Sequence, residues 1–233
     1  IYAFDSTGGR VYRGNLDTTE ATVVLASGAQ SIIAASQASV GTVLTVLSNQ
    51  SLGLFKPVSE DVEAITTQFP TSSVTLTDAR IFANRLYTLD TQHGQIYRHT
   101  KNAELSFATG TEWITDNTDV RSAASFAIDG SIYVLNTNGE ILKFNAGEKE
   151  NWSVVQIDPA LASGVKIVTD ENTTHIYILD SANSRIVVFG KDGSLVNQYQ
   201  STTFAQAKDL LVDEVKKIMY VLSENSVYTV NIE

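Results

Sequence analysis

The sequence predicts an all-β chain, a six-bladed β-propeller of about 44 residues per blade, and three observations lead there. First, one pentapeptide returns along the chain. Ile1-Tyr2-Ala3-Phe4-Asp5 opens it, and Leu86-Tyr87-Thr88-Leu89-Asp90, Ile132-Tyr133-Val134-Leu135-Asn136, Ile176-Tyr177-Ile178-Leu179-Asp180 and Met219-Tyr220-Val221-Leu222-Ser223 repeat it, with Leu44-Thr45-Val46-Leu47-Ser48 as a degenerate copy. The second position falls at 2, 45, 87, 133, 177 and 220, so the steps are 43, 42, 46, 44 and 43 residues. Second, the runs between these anchors are short, apolar and bounded by Gly, Asn, Asp and Ser, as strands between tight turns are. Third, Pro occurs only three times, and no stretch calls for a helix of any length. Residues 1–233 read as a single propeller domain.

Each unit reads as four strands, A to D. The A strand is an apolar run ending in Asp or Asn: Arg80–Asn84, Ser125–Asp129, Lys166–Asp170 and Asp209–Asp213. Apolar character almost throughout suits a strand buried on both faces. The B strand is the repeated pentapeptide. The turn after it (Ser6–Gly9, Thr91–Gly94, Thr137–Gly139, Ser181–Ser184) carries residues that tolerate positive φ or bond their own backbone. The C strand returns as Arg10–Arg13, Gln95–Arg98, Glu140–Lys143 and Arg185–Phe189, with basic residues that suit a solvated edge. The D strand is the least regular, as in Trp152–Ile157 and Leu195–Tyr199. In this register the first blade starts at B and lacks its inner strand, and the last ends at C, with Ser226 to Ile232, and lacks its outer strand. Both missing strands are expected from about 25 residues upstream of Ile1, so the chain reads as a fragment tethered to an upstream domain.

Composition excludes several functions. With 16 Lys and Arg against 26 Asp and Glu the net charge is −10, and no basic run offsets it, so no nucleic-acid partner is expected. There is no cysteine, hence no disulfide, thiolate nucleophile or Cys-based metal site. The longest apolar runs are far shorter than a membrane span, and no membrane contact is expected of the domain itself. Charged residues are only 18% of the chain, which leaves Ser, Thr, Asn and Gln to solvate the surface and suits an exported bacterial domain, with a cytoplasmic one as the alternative.

The fourth full unit, Ile176-Tyr177-Ile178-Leu179-Asp180-Ser181-Ala182-Asn183-Ser184-Arg185-Ile186-Val187-Val188-Phe189-Gly190-Lys191-Asp192-Gly193, resembles an NHL repeat, whose pattern runs apolar-Tyr-Val-x-Asp-x-x-Asn-x-Arg-Ile-x-Val-Phe and then Asp-Gly. The other units keep the Tyr, the acidic or amide residue after B, and the apolar C strand. The final stretch, Ala207 to Ser223, is similar to the propeller ends of membrane-anchored bacterial signalling proteins, PP2C-type phosphatases among them. The resemblance implies a non-enzymatic binding or sensor module, extracytoplasmic, that takes a protein or a small ligand and needs no cofactor. The alternative it leaves open is a metal-dependent hydrolase of the lactonase kind, for which Asn84, Asp129, Asp170 and Asp213 at the ends of A strands are the available donors.

Two sets of side chains are candidates for a site. Asp5, Asp90 and Asp180, after their B strands, form a partial ring of carboxylates such as a hard cation would take. They also recur with the repeat, as turn-stabilising residues do. Arg80, Arg121, Lys166 and Lys208 fall at or just before A strands, on the side where the B–C and D–A loops open. Four cations there on an acidic chain would reverse the local field and receive a carboxylate or phosphate group. Asp78, Asp119 and Asp209 are close enough in sequence to neutralise them. His93, His99 and His175 have no metal-ligand spacing. Trp113 and Trp152 are either exposed partner contacts or packing residues.

Overall fold

The computed structural model describes residues 1–6, 8–15, 20–24, 31–39 and 41–233. The chain is all-β, and its six small antiparallel sheets are the blades of a six-bladed β-propeller. They fall into two compact units of three sheets each, Ile1–Trp113 and Ile114–Glu233.

In the first unit, β1 (Tyr2–Phe4), β2 (Val11–Gly14) and β3 (Ala21–Val24) form a three-stranded sheet that begins at the B position. Of its B–C turn, Ser6–Gly9, Thr7 lies outside the described residues. The second sheet is β4 (Ile32–Ser39), β5 (Thr42–Leu47), β6 (Leu52–Lys56) and β7 (Asp61–Ile65). The third holds β8 (Leu76–Phe82), β9 (Arg85–Asp90) and β10 (Gln95–Ala103), with β11 (Ser106–Phe107) and β12 (Thr111–Glu112) both on β10. In the second unit, the fourth sheet is β13 (Ala123–Ile128), β14 (Ile132–Asn136), β15 (Ile141–Asn145) and β16 (Glu148–Lys149). The fifth is β17 (Gly164–Val168), β18 (His175–Asp180), β19 (Arg185–Gly190) and β20 (Leu195–Gln200). The sixth is β21 (Ala207–Asp213), β22 (Ile218–Ser223) and β23 (Ser226–Asn231), which stops at the C position. Two 3-10 turns, Ser181–Asn183 and Thr202–Gln206, are the helical segments among the described residues.

The core lies in the seams between neighbouring sheets. Within the first unit, Val11, Val24, Ile32, Leu47 and Phe55 fill one seam, and Leu44, Val46, Leu52, Leu76 and Leu86 the next. Within the second, Tyr133, Leu135, Ile178, Val187 and Phe189 fill one, and Tyr177, Leu179, Ile186, Met219 and Val221 the other. Alternate residues of a strand serve opposite seams. Hence β14 is buried at all five positions and β18 at five of six. Each large side chain so buried contributes about 1.5–3 kcal/mol.

The A strands begin earlier than the sequence suggests, and the reason recurs. Every one carries a β-bulge near its start, at Ile33, Thr77, Ala124, Val165 and Lys208, where the register with the B strand slips by one. In four sheets the residue after the bulge faces the fourth residue of the B motif, Asp78 opposite Leu89, Ser125 opposite Leu135, Lys166 opposite Leu179 and Asp209 opposite Leu222, while in the second sheet Ala34 faces the third, Val46. The fourth sheet departs from expectation too. Trp152–Ile157 is irregular, and the outer strand is Glu148–Lys149. A two-residue turn with both φ positive, Ala146 at 50° and Gly147 at 93°, brings the chain straight back onto β15. The following segment then reaches the fifth sheet, where Trp152 Nε1 donates to Lys191 O at 3.0 Å and Val155 N to Gly193 O at 2.9 Å.

One buried polar group tests the first unit. His99 is wholly buried, with Phe69 edge-on at 5.3 Å. Ala108 O, 3.1 Å from Nδ1, can only accept, so Nδ1 carries the proton and Nε2 accepts from Thr88 Oγ1 at 3.1 Å. Gly110 is required beside it, because a Cβ there would lie 2.6 Å from the ring. Burial holds the imidazole below its ordinary pKa, against a smaller upward pull from Ala108 O. The native pKa lies below the unfolded one, about 6.5, so the unfolded chain binds the proton first as pH falls. The stability from neutral His99 is complete above about pH 6.5 and is lost as pH falls towards the native value. Urea unfolding should therefore show a midpoint that drops from about pH 7.5 to about pH 5.5, and His99→Gln should flatten that drop.

Candidate functional site

The repeat places an acid or amide at the end of four of the six B motifs (Asp5, Asp90, Asn136 and Asp180, with Ser48 and Ser223 in the others), and the fifth sheet shows its work. Asp180 is fully buried. Its Oδ1 accepts from Ala162 N at 3.3 Å and Ser163 N at 3.1 Å, in the connection leading to β17. Its Oδ2 accepts from Asn183 Nδ2 at 2.8 Å and Arg185 Nε at 3.0 Å. Arg185, equally buried, also donates to Gln198 Oε1 at 2.8 Å and Pro159 O at 2.6 Å. The Asp-x-x-Asn-x-Arg element is thus a clamp joining the B–C turn, the outer strand and the D–A connection.

The third sheet builds the same clamp with an imidazole. Asp90, fully buried, accepts from Thr75 N at 2.9 Å and Gln92 N at 3.0 Å through Oδ1, and its Oδ2 lies 2.6 Å from His93 Nδ1. His93 stands where Asn183 stands, three residues after the carboxylate. A buried carboxylate that fixes an imidazole through Nδ1 is the base-and-orienter pair of acid–base sites. The sequence reading missed the pair, although the Asp-x-x-His spacing beside Asp-x-x-Asn was there to find it. In the fourth sheet Asn136 takes the place of the acid; its Nδ2 donates to Glu140 Oε2 at 3.1 Å, and its Oδ1 is the buried side-chain atom without a hydrogen-bond partner among the described residues.

The four cations singled out by sequence sit as follows. Arg80, in the first unit, pairs with Asp78 and donates to Ala79 O at 2.8 Å, and both members are largely buried. The bulge at Thr77 puts Asp78, rather than Arg80, at the position equivalent to Lys166; Arg80 lies two residues further on, opposite Tyr87. In the second unit, Arg121 precedes β13 and pairs with Asp119 at 2.9 Å, both more than half exposed. Lys166 pairs across neighbouring inner strands with Asp209 at 2.9 Å. Lys208 is itself a bulge residue within β21, exposed, and paired with no carboxylate among the described residues. The three second-unit cations and their two partners therefore leave one net positive charge.

At the other end of the blades the A–B turns are closed by their own acids. Asp170 Oδ1 accepts from Asn172 N and Thr173 N, each at 2.8 Å, and Asp213 Oδ1 from Lys216 N at 2.9 Å. Asp129 Oδ2 meets Lys191 Nζ at 2.5 Å, and Asn84 occupies a left-handed turn position with φ 60°. Glu214 gathers Tyr177 OH at 2.8 Å, Thr174 N at 2.8 Å and His175 N at 3.2 Å. Burial pushes its pKa up, but these bonds outweigh burial and hold the carboxyl below its ordinary value, while burial and Glu214 raise that of Tyr177. Among the described residues no three His, Cys, Asp or Glu converge as metal ligands would. Both tryptophans pack: Trp113 edge-on to Tyr87 at 6.4 Å, Trp152 edge-on to Tyr133 at 5.6 Å.

On the rim of the fifth and sixth sheets several apolar side chains are open to solvent. Leu195 and Val196 of β20 are 41% and 50% exposed, and Val227 and Tyr228 of β23 are 41% and 40% exposed. Between the two strands runs a groove of about 450 Å³ lined by Tyr199, Phe204, Tyr228 and Val230 together with the polar Gln198, Gln200, Ser201, Thr203 and Thr229.

No protein-family model matches the chain, and no curated protein matches it in sequence. Solved structures do. A gluconolactonase from Xanthomonas campestris superposes with a TM-score of 0.73 at 12% identity, over 98% of this chain and 80% of that one. A chain of a nidogen–laminin complex gives 0.72 at 13% identity, over 99% and 88%. A computationally designed protein gives 0.55 at 10%, over 99% and 70%. At these identities the likeness shows the fold alone.

The clamp and the surface pairs differ sharply in worth. Removing Arg185 strands the buried Asp180 carboxylate, so Arg185→Ala should cost on the order of 3–5 kcal/mol in urea unfolding. Arg121→Ala, at an exposed pair, should cost less than about 1 kcal/mol by the same measurement.

Proposed function

We propose that the chain is a non-enzymatic binding propeller whose partner is a protein, received on the rim of the fifth and sixth sheets. The observation that carries this reading is the open groove of mixed lining between β20 and β23, on whose strands Leu195, Val196, Val227 and Tyr228 are exposed. Large apolar side chains exposed on neighbouring strands are a feature of interaction sites. The loops where chemistry was sought support the same reading, because their buried acids are engaged in clamps and three of the four cations in ion pairs. A small anionic ligand is a second reading, favoured by Lys208, exposed and in no ion pair among the described residues, beside the Lys166–Asp209 pair. The context we propose, an extracytoplasmic sensor module tethered to an upstream domain of a bacterial signalling protein, rests on the sequence alone: the NHL-like repeat, the likeness of Ala207 to Ser223 to the propeller ends of such proteins, the low charge content, and the repeat register.

The lactonase-like alternative would draw on Asn84, Asp129, Asp170 and Asp213, which this fold commits to A–B turns. Two measurements separate the readings. Panning a random peptide library of about twelve residues on the immobilised chain should enrich binders over a mock surface, with Val196→Asp or Tyr228→Ala weakening them about tenfold, the loss of one well-buried contact. A gluconolactone hydrolysis assay with and without calcium should stay at the buffer rate, and the melting temperature should not move on adding EDTA. Metal-dependent turnover that falls with Asp129→Asn would establish the enzyme instead, and a library that enriches nothing would remove the protein-binding reading.

A further inference from the structure

One core residue of the first unit breaks the repeat. In the fourth and fifth sheets the C-strand residue opposite the first residue of the B motif is a wholly buried phenylalanine, Phe144 opposite Ile132 and Phe189 opposite Ile176. In the second sheet, whose pairing is offset by one, it is Phe55 opposite Val43. In the third sheet it is His99, opposite Leu86 and just as buried. A position that served packing alone would take the ring without polar atoms, since a buried polar group costs free energy unless it is bonded. The imidazole brings what Phe cannot, a proton site inside the sheet.

Residues 66–75, the connection from β7 to β8, run across the face of the third sheet that carries this ring. They alternate: Thr67, Phe69 and Thr71 are half-buried, and Thr66, Gln68, Pro70 and Ser72 are exposed. Thr67 Oγ1 lies 2.8 Å from His99 Nδ1 and donates to Ala108 O at 3.1 Å. Phe69 is edge-on to His99 at 5.3 Å and to Tyr97 at 5.8 Å. At the far end Thr75 N donates to Asp90 Oδ1 at 2.9 Å. Near His99 the main chain is tied by Thr66 N to Leu105 O at 2.8 Å, Phe107 N to Thr66 O at 2.9 Å and Gly110 N to Gln68 O at 2.9 Å. Residues 66–75 contain no Asp, Glu, Lys, Arg, His or Tyr.

We propose that residues 66–75 are an acid-released strap, whose His99 end opens when the imidazole takes up a second proton while its Asp90 end stays fastened. Neutral His99 is fully bonded: Nδ1–H faces Ala108 O and Thr67 Oγ1, and Nε2 accepts from Thr88 Oγ1. A proton on Nε2 removes that acceptor and puts a charge where the ring has no contact with solvent. The groups on the surrounding elements do not balance it. Asp90 on β9 is already bonded by Thr75 N, Gln92 N and His93. Asp78 and Arg80 on β8 pair with each other, as do Lys56 and Glu63 of the second sheet. Arg85, Arg98, Lys101, Glu104 and Glu112 are exposed, and Tyr97 is a phenol that burial keeps protonated. Lifting the first half of the strap lets water reach the ring and leaves the β9–β10 ladder whole, and such a local opening costs less than unfolding. At the other end acid acts in the opposite sense. A proton on His93, 2.6 Å from Asp90 Oδ2, adds charge to the pair that holds Thr75. The strap thus has a latch at His99 and a hinge at Thr75, and it is independent of the groove between β20 and β23.

Native-state amide exchange tests this, with each rate corrected for the intrinsic pH dependence of the amide. The opened ring has the ordinary histidine pKa of about 6.5, so the opening equilibrium should rise by up to about tenfold between about pH 7.5 and about pH 5.5. Protection of the Thr66, Phe107 and Gly110 amides should fall by that factor. At about pH 5.5 these three should exchange faster than Thr75 and Gln92 at the hinge, and at least about tenfold faster than the β9–β10 ladder. Low urea should leave their rates unchanged, the mark of an opening that exposes little surface. His99→Gln keeps a bonding amide and removes the proton site, so it should make the three amides independent of pH. Protection that stays constant between the two pH values, or a response that persists in His99→Gln, would overturn the latch. Exchange of all five amides at the rate of the ladder, accelerated by low urea, would make the opening global unfolding and overturn the strap. Exchange on the unaltered chain decides the matter even if His99→Gln fails to fold.

Discussion

The local architecture depends on how the chain satisfies its backbone where strand B ends and the next connection passes. A propeller blade packs its neighbours on both faces, so the D–A connection runs over a surface already committed to strands. Its N–H groups need acceptors that lie within the blade. Asp180 supplies them to Ala162 and Ser163, and Asp90 to Thr75. A buried carboxylate is costly unless it is fully bonded, and both acids are. Arg185 neutralises the one, and the His93 ring bonds the other at its second oxygen. Asn136 shows the consequence of losing the charge: the amide keeps one bond outward to Glu140 and leaves its buried oxygen without a partner.

This dependence explains what was legible in the sequence. All six B strands lie where the recurring pentapeptide puts them, because their residues are fixed by two seams at once and the pattern records both. The three-stranded first and last sheets were legible from the same spacing. The A strands were read two to four residues late. Their bulge slips the register by one, and residues such as Thr77 and Val165 carry no mark of it. That slip is why Arg80 looked equivalent to Lys166 when Asp78 is. The outer strand of the fourth sheet was read onto Trp152–Ile157 for its alternation, but the positive-φ turn at Ala146 and Gly147 had already returned the chain. Turn geometry took precedence over the apolar pattern.

The candidate site was less legible than the fold, for an electrostatic reason. On a chain with 16 cations against 26 acids, an isolated Lys or Arg finds a carboxylate more readily than a ligand does. Asp78, Asp119 and Asp209 were each within three residues of a candidate cation in sequence or across one strand pair in space. Charge type could be read from the sequence; charge balance could not, because it depends on the neighbouring blade. The Lys166–Asp209 pair joins two inner strands that are 43 residues apart in the chain, one repeat length.

The same comparison of repeats gives apolar residues a meaning they lack singly. Scattered exposed Val or Tyr side chains need no explanation in most proteins. Here Val227 and Tyr228 occupy the repeat positions that Ile186 and Val187 occupy in the fifth sheet, where both are buried. Two strands of one pattern, with opposite burial, differ by one neighbour. The exposure of β23 is therefore a property of what lies beside it and not of its sequence.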